Sequence, residues 1–402
     1  LGAWIAMRFS RGLPQGSEKS RTGRLLCYDN DLRIGFGGFS LSAEVAAMSV
    51  TIKQIAERTG LSVPTVGNVL GRASMRYSEA TRKKVFAAVE EMGYKPNSSA
   101  RAMRQGRFGC AAMILSRSHL NFLSHIPAGL LDGVDEELSL HNMHLSVSRL
   151  SDDELSREDF GPKVLREYVA DGLIVNYTHA IPPGMLEVIN ANRTPAVWVN
   201  AKLKADCVYP DDRAGARMAT EAMIAQGHRR ITFVHLIEPG FFGPTEFAKA
   251  KPRLHYSVAD RMDGYSRAMK KAGLKPVIGY DDRFTCFRDM VKACVDLLSV
   301  PERPTAMIAY SQHETPAIVF AAAQLGLDIS RDLAILQFSP TDDWVAGTRI
   351  PAMLVPTENV GRQAVRMLLR KIKTPSALCE PEAVAYAPLG SEQMAMLALP
   401  KG

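Results

Sequence analysis

VTIKQIAERTGLSVPTVGNVLGR, Val50 to Arg72, is the stretch on which the fold of this chain turns. Thr51 carries the short hydroxyl that caps a helix, and Ile52, Ile55 and Ala56 recur along one helical face. That spacing predicts a helix from Ile52 to Thr59. Gly60 ends it, and Leu61 plugs the turn. Ser62 then caps a second helix, Val63 to Leu70, whose Val66, Val69 and Leu70 face inward. Pro64 falls in its first turn, where a missing N–H does no harm. Farther on, Ser78 caps a third helix from Glu79 to Met92, stopped by Gly93. Two short helices joined by a three-residue turn containing glycine, backed by a third, describe a helix-turn-helix. Three helices of this size also serve as a plain interaction module, so charge has to decide between them.

The chain carries a net charge of +7 over 402 residues. Between Ser49 and Arg107 stand eleven cations (Lys53, Arg58, Arg72, Arg76, Arg82, Lys83, Lys84, Lys95, Arg101, Arg104 and Arg107) against four anions, Glu57, Glu79, Glu90 and Glu91. That stretch holds the whole excess, and the rest sums to zero. A neutral body with a compact basic head points to a polyanionic partner, the alternative being a solvated basic surface.

Upstream, residues 1–48 mix Gly, Ser and Arg with short apolar scraps and keep no helical or strand period. They are expected to be either a disordered arm or the product of a start site placed ahead of Met48. GFGGFS (Gly35 to Ser40) reads as loop and is no dinucleotide fingerprint, since no strand–helix frame surrounds it. The opening residues lack the apolar segment and cleavage site of an export signal, and no run of about 18 apolar residues exists. No membrane contact is expected, and a cytoplasmic location is. Six cysteines without a C-x-x-C pair support neither a zinc ribbon nor a disulfide scaffold, and read as free thiols.

Downstream of Arg107, apolar runs of strand length alternate with amphipathic helical stretches. CAAMIL (Cys110 to Leu115), HLSVSRL, GLIVN (Gly172 to Asn176), AVWVN (Ala196 to Asn200), ITFVH, AMIAY and LAILQF read as strands. Helices are expected near Ala128 to Leu140, Pro162 to Val169 and Met185 to Asn190, among others. Alternating βα units imply parallel sheets covered on both faces, and about 300 residues make two such lobes. The fold class is therefore an all-α helix-turn-helix head on a two-lobed, Rossmann-like α/β body. Ligands of such sheets bind in the crevice at the carboxyl ends of strands.

The stretches VTIKQIAERTGLSVPTVGNVLGR, YSEATRKKVFAAVEEMGYKPN and SSARAMRQGR resemble the head and hinge of the lactose-repressor (LacI/GalR) family of bacterial transcription regulators. The likeness is nearly gap-free from Val50 to Arg107. It departs from the usual T-V-S-R-V-L-N at Gly67, Asn68 and Gly71, and the leucine of A-R-x-L is Met103. Thinner matches follow in the body: DDRAGARMATEAMIAQGHRRITFV, ADRMDGYSRAM and RIPAMLVPTENVGRQAVRMLL resemble the family's lobe crossings and its R-x-x-G-[FYW] motif.

The resemblance implies a periplasmic-binding-protein-like body, a homodimer, a palindromic double-stranded operator and a small-molecule effector. It divides the chain into a head at 49–96, a hinge at 97–107 and a body at 108–402. The first lobe is expected at about 108–210 and 355–390, the second at about 211–354. It places Thr51, Lys53, Ser62, Val63, Pro64, Thr65, Asn68, Arg72, Arg76 and Tyr77 of the head at the DNA, with Asn97, Ala100 and Met103 of the hinge, of which Met103 enters the minor groove. An amide at 68 matches the edge of adenine where the usual arginine suits guanine; the alternative is that Asn68 meets a phosphate or water.

For the effector the resemblance points to Arg261, with Phe122, Ser311, Gln312, Ser339 and Trp344 around it. Ser311-Gln312 stand where the family has Asn-Asp, and Ser339 replaces an Asp. Val355 stands at a position often held by Gln. Loss of these carboxylates and amides puts a generic hexose site in doubt and leans towards a sugar-derived acid. The other reading is that Arg261 pairs with an Asp and touches no ligand. No G-x-S-x-G, P-loop or H-E-x-x-H motif occurs, so no catalytic residue, metal or cofactor is expected. His313-Glu314 and Asp342-Asp343 are taken as loop residues, and His228 as the organiser of a turn. The competing class is a solute-binding protein or sugar-modifying enzyme with an unrelated basic head.

Overall fold

A computed structural model describes residues 50–71, 76–95, 106–116, 126–150, 165, 170–176, 183–236, 255–281, 286–342 and 344–398. The chain divides into two compact units, Leu1–Pro96 and Asn97–Gly402.

In the first unit lie α1 (Ile52–Thr59), α2 (Val63–Val69) and α3 (Glu79–Glu91). Their starts are set by side chains. Thr51 accepts from the Gln54 amide in a capping box, Ser62 from Thr65 and Ser78 from Thr81. Gly60, at φ +64°, takes the left-handed turn that ends α1. Ile55, Ala56, Val66, Val69, Val85 and Ala88 close the core between the helices. Leu70, expected inside α2, is instead its cap and is only half-buried.

The second unit holds two parallel sheets. β1 (Cys110–Ser116), α4 (Leu130–Leu140), β2 (His144–Leu150), β3 (Gly172–Asn176), α5 (Pro183–Ala191), β4 (Ala196–Val199) and β5 (Cys207–Pro210) build the first lobe. Side chains alternate across the sheet: Ala111, Met113 and Leu115 face α4, while Ala112 and Ile114 face the side of α5. Both faces of β1, β3 and β4 are buried, which is why those strands read as apolar runs, whereas the edge strand β2 is largely exposed. The helix expected near Pro162 to Val169 lies outside the described residues except at Leu165, which is helical and buried.

The chain then crosses into the second lobe through α6 (Asp212–Ala225), β6 (Ile231–Leu236), α7 (Tyr256–Lys271), β7 (Val277–Asp281), α8 (Phe287–Leu298), β8 (Ala306–Ala309), α9 (Thr315–Gln324) and β9 (Ala334–Ser339). A short hairpin, β10 (Trp344–Val345) and β11 (Thr348–Arg349), leads to β12 (Ala352–Leu354). α10 (Thr357–Lys373) returns to pack on α4 in the first lobe, followed by β13 (Glu382–Val384) and α11 (Ser391–Met396). Strand order is β13-β5-β4-β3-β1-β2 in one sheet and β12-β9-β8-β6-β7 in the other.

α6 and α7 lie close enough that a Cβ on Gly264 would stand 2.2 Å from the carbonyl oxygen of Arg213. Only glycine fits at that crossing. The contact brings the starts of both helices, and the polar residues there, to the carboxyl ends of the strands.

Candidate nucleic-acid interface and ligand crevice

On the head, Thr51, Lys53, Ser62, Val63, Pro64, Asn68 and Arg76 are exposed, and Thr65 and Tyr77 are half-buried. The caps that start α2 also shape its outer edge: the hydroxyls of Ser62 and Thr65 share a hydrogen bond of 2.8 Å. Gly67 faces α1, where a Cβ would meet Ile52 Cδ1 at 3.4 Å. Asn68 points outward, and its Nδ2 donates to the Tyr77 hydroxyl at 3.0 Å. Arg72, Asn97, Ala100 and Met103 lie outside the described residues.

In the body, Arg261 sits in the second turn of α7, buried with Asp212 at the start of α6. Its Nε donates to Asp212 Oδ1 at 2.7 Å and Nη2 lies 2.6 Å from the same oxygen. Nη1 donates to the Tyr310 carbonyl, and Nη2 also donates to the Tyr386 hydroxyl at 3.2 Å. The guanidinium lies over the rings of Phe338 at 4.2 Å and Tyr310 at 4.9 Å. Burial is the largest single influence and lowers its pKa, but the Asp212 carboxylate together with Tyr386 and Tyr310 raises it overall. Arg261 therefore has an Asp partner, which is the pairing half of the second expectation for it. Asp212 is itself buried, and its Oδ1 also accepts from the Tyr386 hydroxyl at 2.7 Å.

Ser311, Gln312 and Ser339 do come together at the ends of β8 and β9. The buried Ser339 hydroxyl donates to Gln312 Oε1 at 2.6 Å, and the Ser311 amide and hydroxyl both donate to Glu314 Oε2 at 2.9 and 2.6 Å. Val355 lies beside them, its amide donating to the Ser339 carbonyl. Trp344 stands apart on the β10–β11 hairpin, 68% exposed, and Phe122 is outside the described residues.

Two groups are not legible in the sequence. Glu314, expected as a loop residue, is 2% exposed, with Oε1 at 3.1 Å from His235 Nδ1. It must be buried because it satisfies the Ser311 groups ahead of α9. The second is His255, just before α7. Its Nε2 meets the Asn200 carbonyl at 2.7 Å and its Nδ1 the Ser257 hydroxyl at 2.6 Å; Ser257 in turn meets the Tyr310 hydroxyl at 2.7 Å. A carbonyl can only accept, so Nε2 holds the proton. In the neutral ring Nδ1 then accepts from Ser257, which accepts from Tyr310. Burial lowers the His255 pKa and raises that of Tyr310. Asn200 Nδ2 continues the chain to Asn176 Oδ1, and Lys202 reaches Asp260 at 2.6 Å. The line thus runs from the ends of β3 and β4 in one lobe to β8 in the other.

His228 stands ahead of β6, as expected, but its ring nitrogens meet Thr305 Oγ1 and the Leu397 carbonyl, tying distant segments together instead of bonding within the turn. Among the described residues, no group of three or more His, Cys, Asp or Glu could hold a metal ion, and no helix is long and apolar enough to cross a membrane.

The family described as bacterial regulatory proteins, lacI family, matches residues 51–97, and the periplasmic binding protein-like domain matches residues 220–385. The probable HTH-type transcriptional regulator EndR of Paenibacillus polymyxa is 26% identical over 330 residues, 81% of this chain and 91% of that protein. The ribose operon repressor of Escherichia coli K12 is 26% identical over 333 residues, with 81% and 94% covered. The solved structure of the lac repressor dimer bound to operator and the anti-inducer ONPF shares the fold, with a TM-score of 0.62 at 18% identity over 85% of this chain and 98% of that one. A helix-turn-helix head with capped helices, two parallel-sheet lobes and these matches agree: the chain carries a head that matches the lacI family of bacterial regulatory proteins at 51–97 and a periplasmic-binding-protein-like domain at 220–385.

Proposed function

We propose that the protein is a DNA-binding transcriptional repressor whose operator binding is controlled by a small molecule held between the two lobes. The observation that carries this reading is the polar line from Asn176 and Asn200 through His255, Ser257 and Tyr310 to Arg261 and Asp212, which joins both lobes at the carboxyl ends of their strands. A ligand inserted there has donors and acceptors from both sides, so its binding free energy shifts the balance between open and closed lobes. The ligand is a sugar or a sugar-derived acid. Asp212 accepts and Arg261 donates, which suits vicinal hydroxyls.

Two chains pair through their bodies, because one seven-residue recognition helix reads too few base pairs alone. Each head lays α2 in a major groove, with Ser62, Thr65 and Asn68 near the bases and Lys53 and Arg76 at phosphates. The operator is accordingly palindromic. The protein acts in the bacterial cytoplasm and is not an enzyme. The Ser311 hydroxyl donates to a carboxylate rather than to an imidazole, which leaves it unactivated as a nucleophile.

A mobility-shift assay with genomic fragments at two salt concentrations tests this reading. Binding should weaken steeply with salt and respond to one sugar or sugar acid from a panel. Binding indifferent to both would remove it.

A further inference from the structure

Asn68 and Tyr77 are nine positions apart, on α2 and just ahead of the Ser78 cap of α3, yet the Asn68 amide nitrogen donates to the Tyr77 hydroxyl at 3.0 Å. The two residues differ in how firmly they are held. Asn68 is exposed on the outer face of α2, where an asparagine side chain turns freely about two bonds. Tyr77 is half-buried, its ring packed against the core formed by Ile55, Val66, Val85 and their neighbours. The phenol is therefore a fixed post, and the amide is the group it fixes.

The amide has two N–H groups and one oxygen. One N–H is spent on Tyr77. The remaining N–H and Oδ1 are a donor and an acceptor in the one plane of the amide, and they stand side by side when Tyr77 takes the N–H that points away from Oδ1. The major-groove edge of adenine offers the complement, an acceptor at N7 and a donor at N6. Guanine offers two acceptors and no donor on that edge. If the amide were turned over, with Tyr77 donating to Oδ1, both N–H groups would face outward and suit guanine instead. The hydrogen bond to Tyr77 thus fixes which base the side chain complements, before any DNA arrives.

We propose that Tyr77 is a positioning residue for base readout, holding the Asn68 amide in the orientation that presents one donor and one acceptor to adenine. The inference rests on the reading of the head as a DNA-binding domain. It concerns how that head chooses sequence, not whether it binds. Preorganisation of this kind sharpens discrimination because the side chain loses less freedom on contact.

The test is selection from a random DNA pool by the full-length chain, followed by affinities for duplexes that differ only at the selected step. The wild type should enrich an A·T pair there, with an affinity ratio over G·C on the order of tenfold or more. Tyr77→Phe keeps the packed ring and removes only the hydroxyl. The ratio should fall to within a few-fold, and Asn68→Ala should reduce it similarly. The double variant should lose no more than either single one, the signature of two residues acting through one contact. Because the readout is a ratio at one step, a uniform change in affinity cancels; a merely structural role for Tyr77 would leave the ratio intact and overturn the proposal. Enrichment of G·C by the wild type would overturn it too, by showing the opposite amide orientation. Absence of salt-sensitive binding to any duplex would instead remove the DNA-binding reading itself.

Discussion

The imidazole of His255, one residue ahead of α7, donates from Nε2 to the main-chain carbonyl of Asn200 at the end of β4, 2.7 Å away. A strand of one lobe and a helix of the other are thereby joined through an imidazole whose pKa the fold shifts downward. Burial is the main cause that lowers its pKa below 6.5; the facing Asp212 and Arg261 act in opposite directions. The unfolded chain therefore takes up a proton at a pH where the folded one does not. Stability contributed by the neutral ring is complete above the unfolded value and declines as the pH falls through 6.5. His228 is shifted the same way by burial and adds to the trend. Thermal melts at pH 7.5 and 5.5 should show a drop on acidification, and His255→Gln, which can still donate to Asn200, should shrink it. An equal drop in the variant would assign the effect elsewhere.

The Arg261–Asp212 pair supports both stability and ligand binding, and two variants separate them. Arg261→Ala leaves a carboxylate buried without its cation, which should destabilise the body by about 3–5 kcal/mol. Arg261→Met with Asp212→Leu removes both charges and should recover much of that loss. Ligand affinity should not recover with it. Denaturant titration and calorimetry with a panel of neutral sugars and sugar acids, applied to both variants, give the two readings. Ligand binding at wild-type affinity in the double variant would show that the pair is structural only.

Gly264→Ala pushes a methyl group into the carbonyl oxygen of Arg213 and must spread α6 from α7. Overpacking of this sort costs about 1–3 kcal/mol. The denaturation midpoint should fall accordingly, and because α7 carries Arg261 and follows directly on His255, ligand affinity should fall with it. A midpoint within error of the wild type would mean that the helices have room to part.

Ser62→Ala removes the side-chain acceptor for the Thr65 amide at the start of α2. The expected loss is about 1 kcal/mol in the head. Head and body fall in separate compact units, and the three head helices close a core of their own. Hydrogen exchange should therefore quicken in α1–α3 while body amides keep their rates. Equal acceleration in the body would show that the two units unfold together.

What the sequence discloses and what it hides follow from range. Thr51, Ser62 and Ser78 each bond an amide three residues on, so local pattern places the three head helices to within a residue or two. The strands are equally plain, because both faces of β1, β3 and β4 are buried and their residues are apolar without interruption. The crevice is legible only in part. Ser311, Gln312 and Ser339 lie at or just past the ends of strands, and that position locates them. The partners of Arg261 stand 49 and 125 positions away at Asp212 and Tyr386, and those of Glu314 and His255 are 79 and 55 away at His235 and Asn200. No local pattern announces such pairs. Glu314 does lie in the turn ahead of α9, as a loop residue should, but only the fold reveals the groups that it satisfies.

The path of the last described segment has a bearing on how the molecule is made. β13 adds the edge strand beside β5, after which Tyr386 and Leu397 enter the core of the other lobe with Phe233, Tyr265 and Phe338. The Leu397 carbonyl also meets His228. During synthesis, therefore, residues far apart in time are needed to finish each half. A nascent chain released after α10 would have most of both sheets but would leave one without its edge and the other with an unfilled hollow. Translation must run past Leu397 before either lobe can lock, so this stretch acts as a stitch that ties off two halves at once.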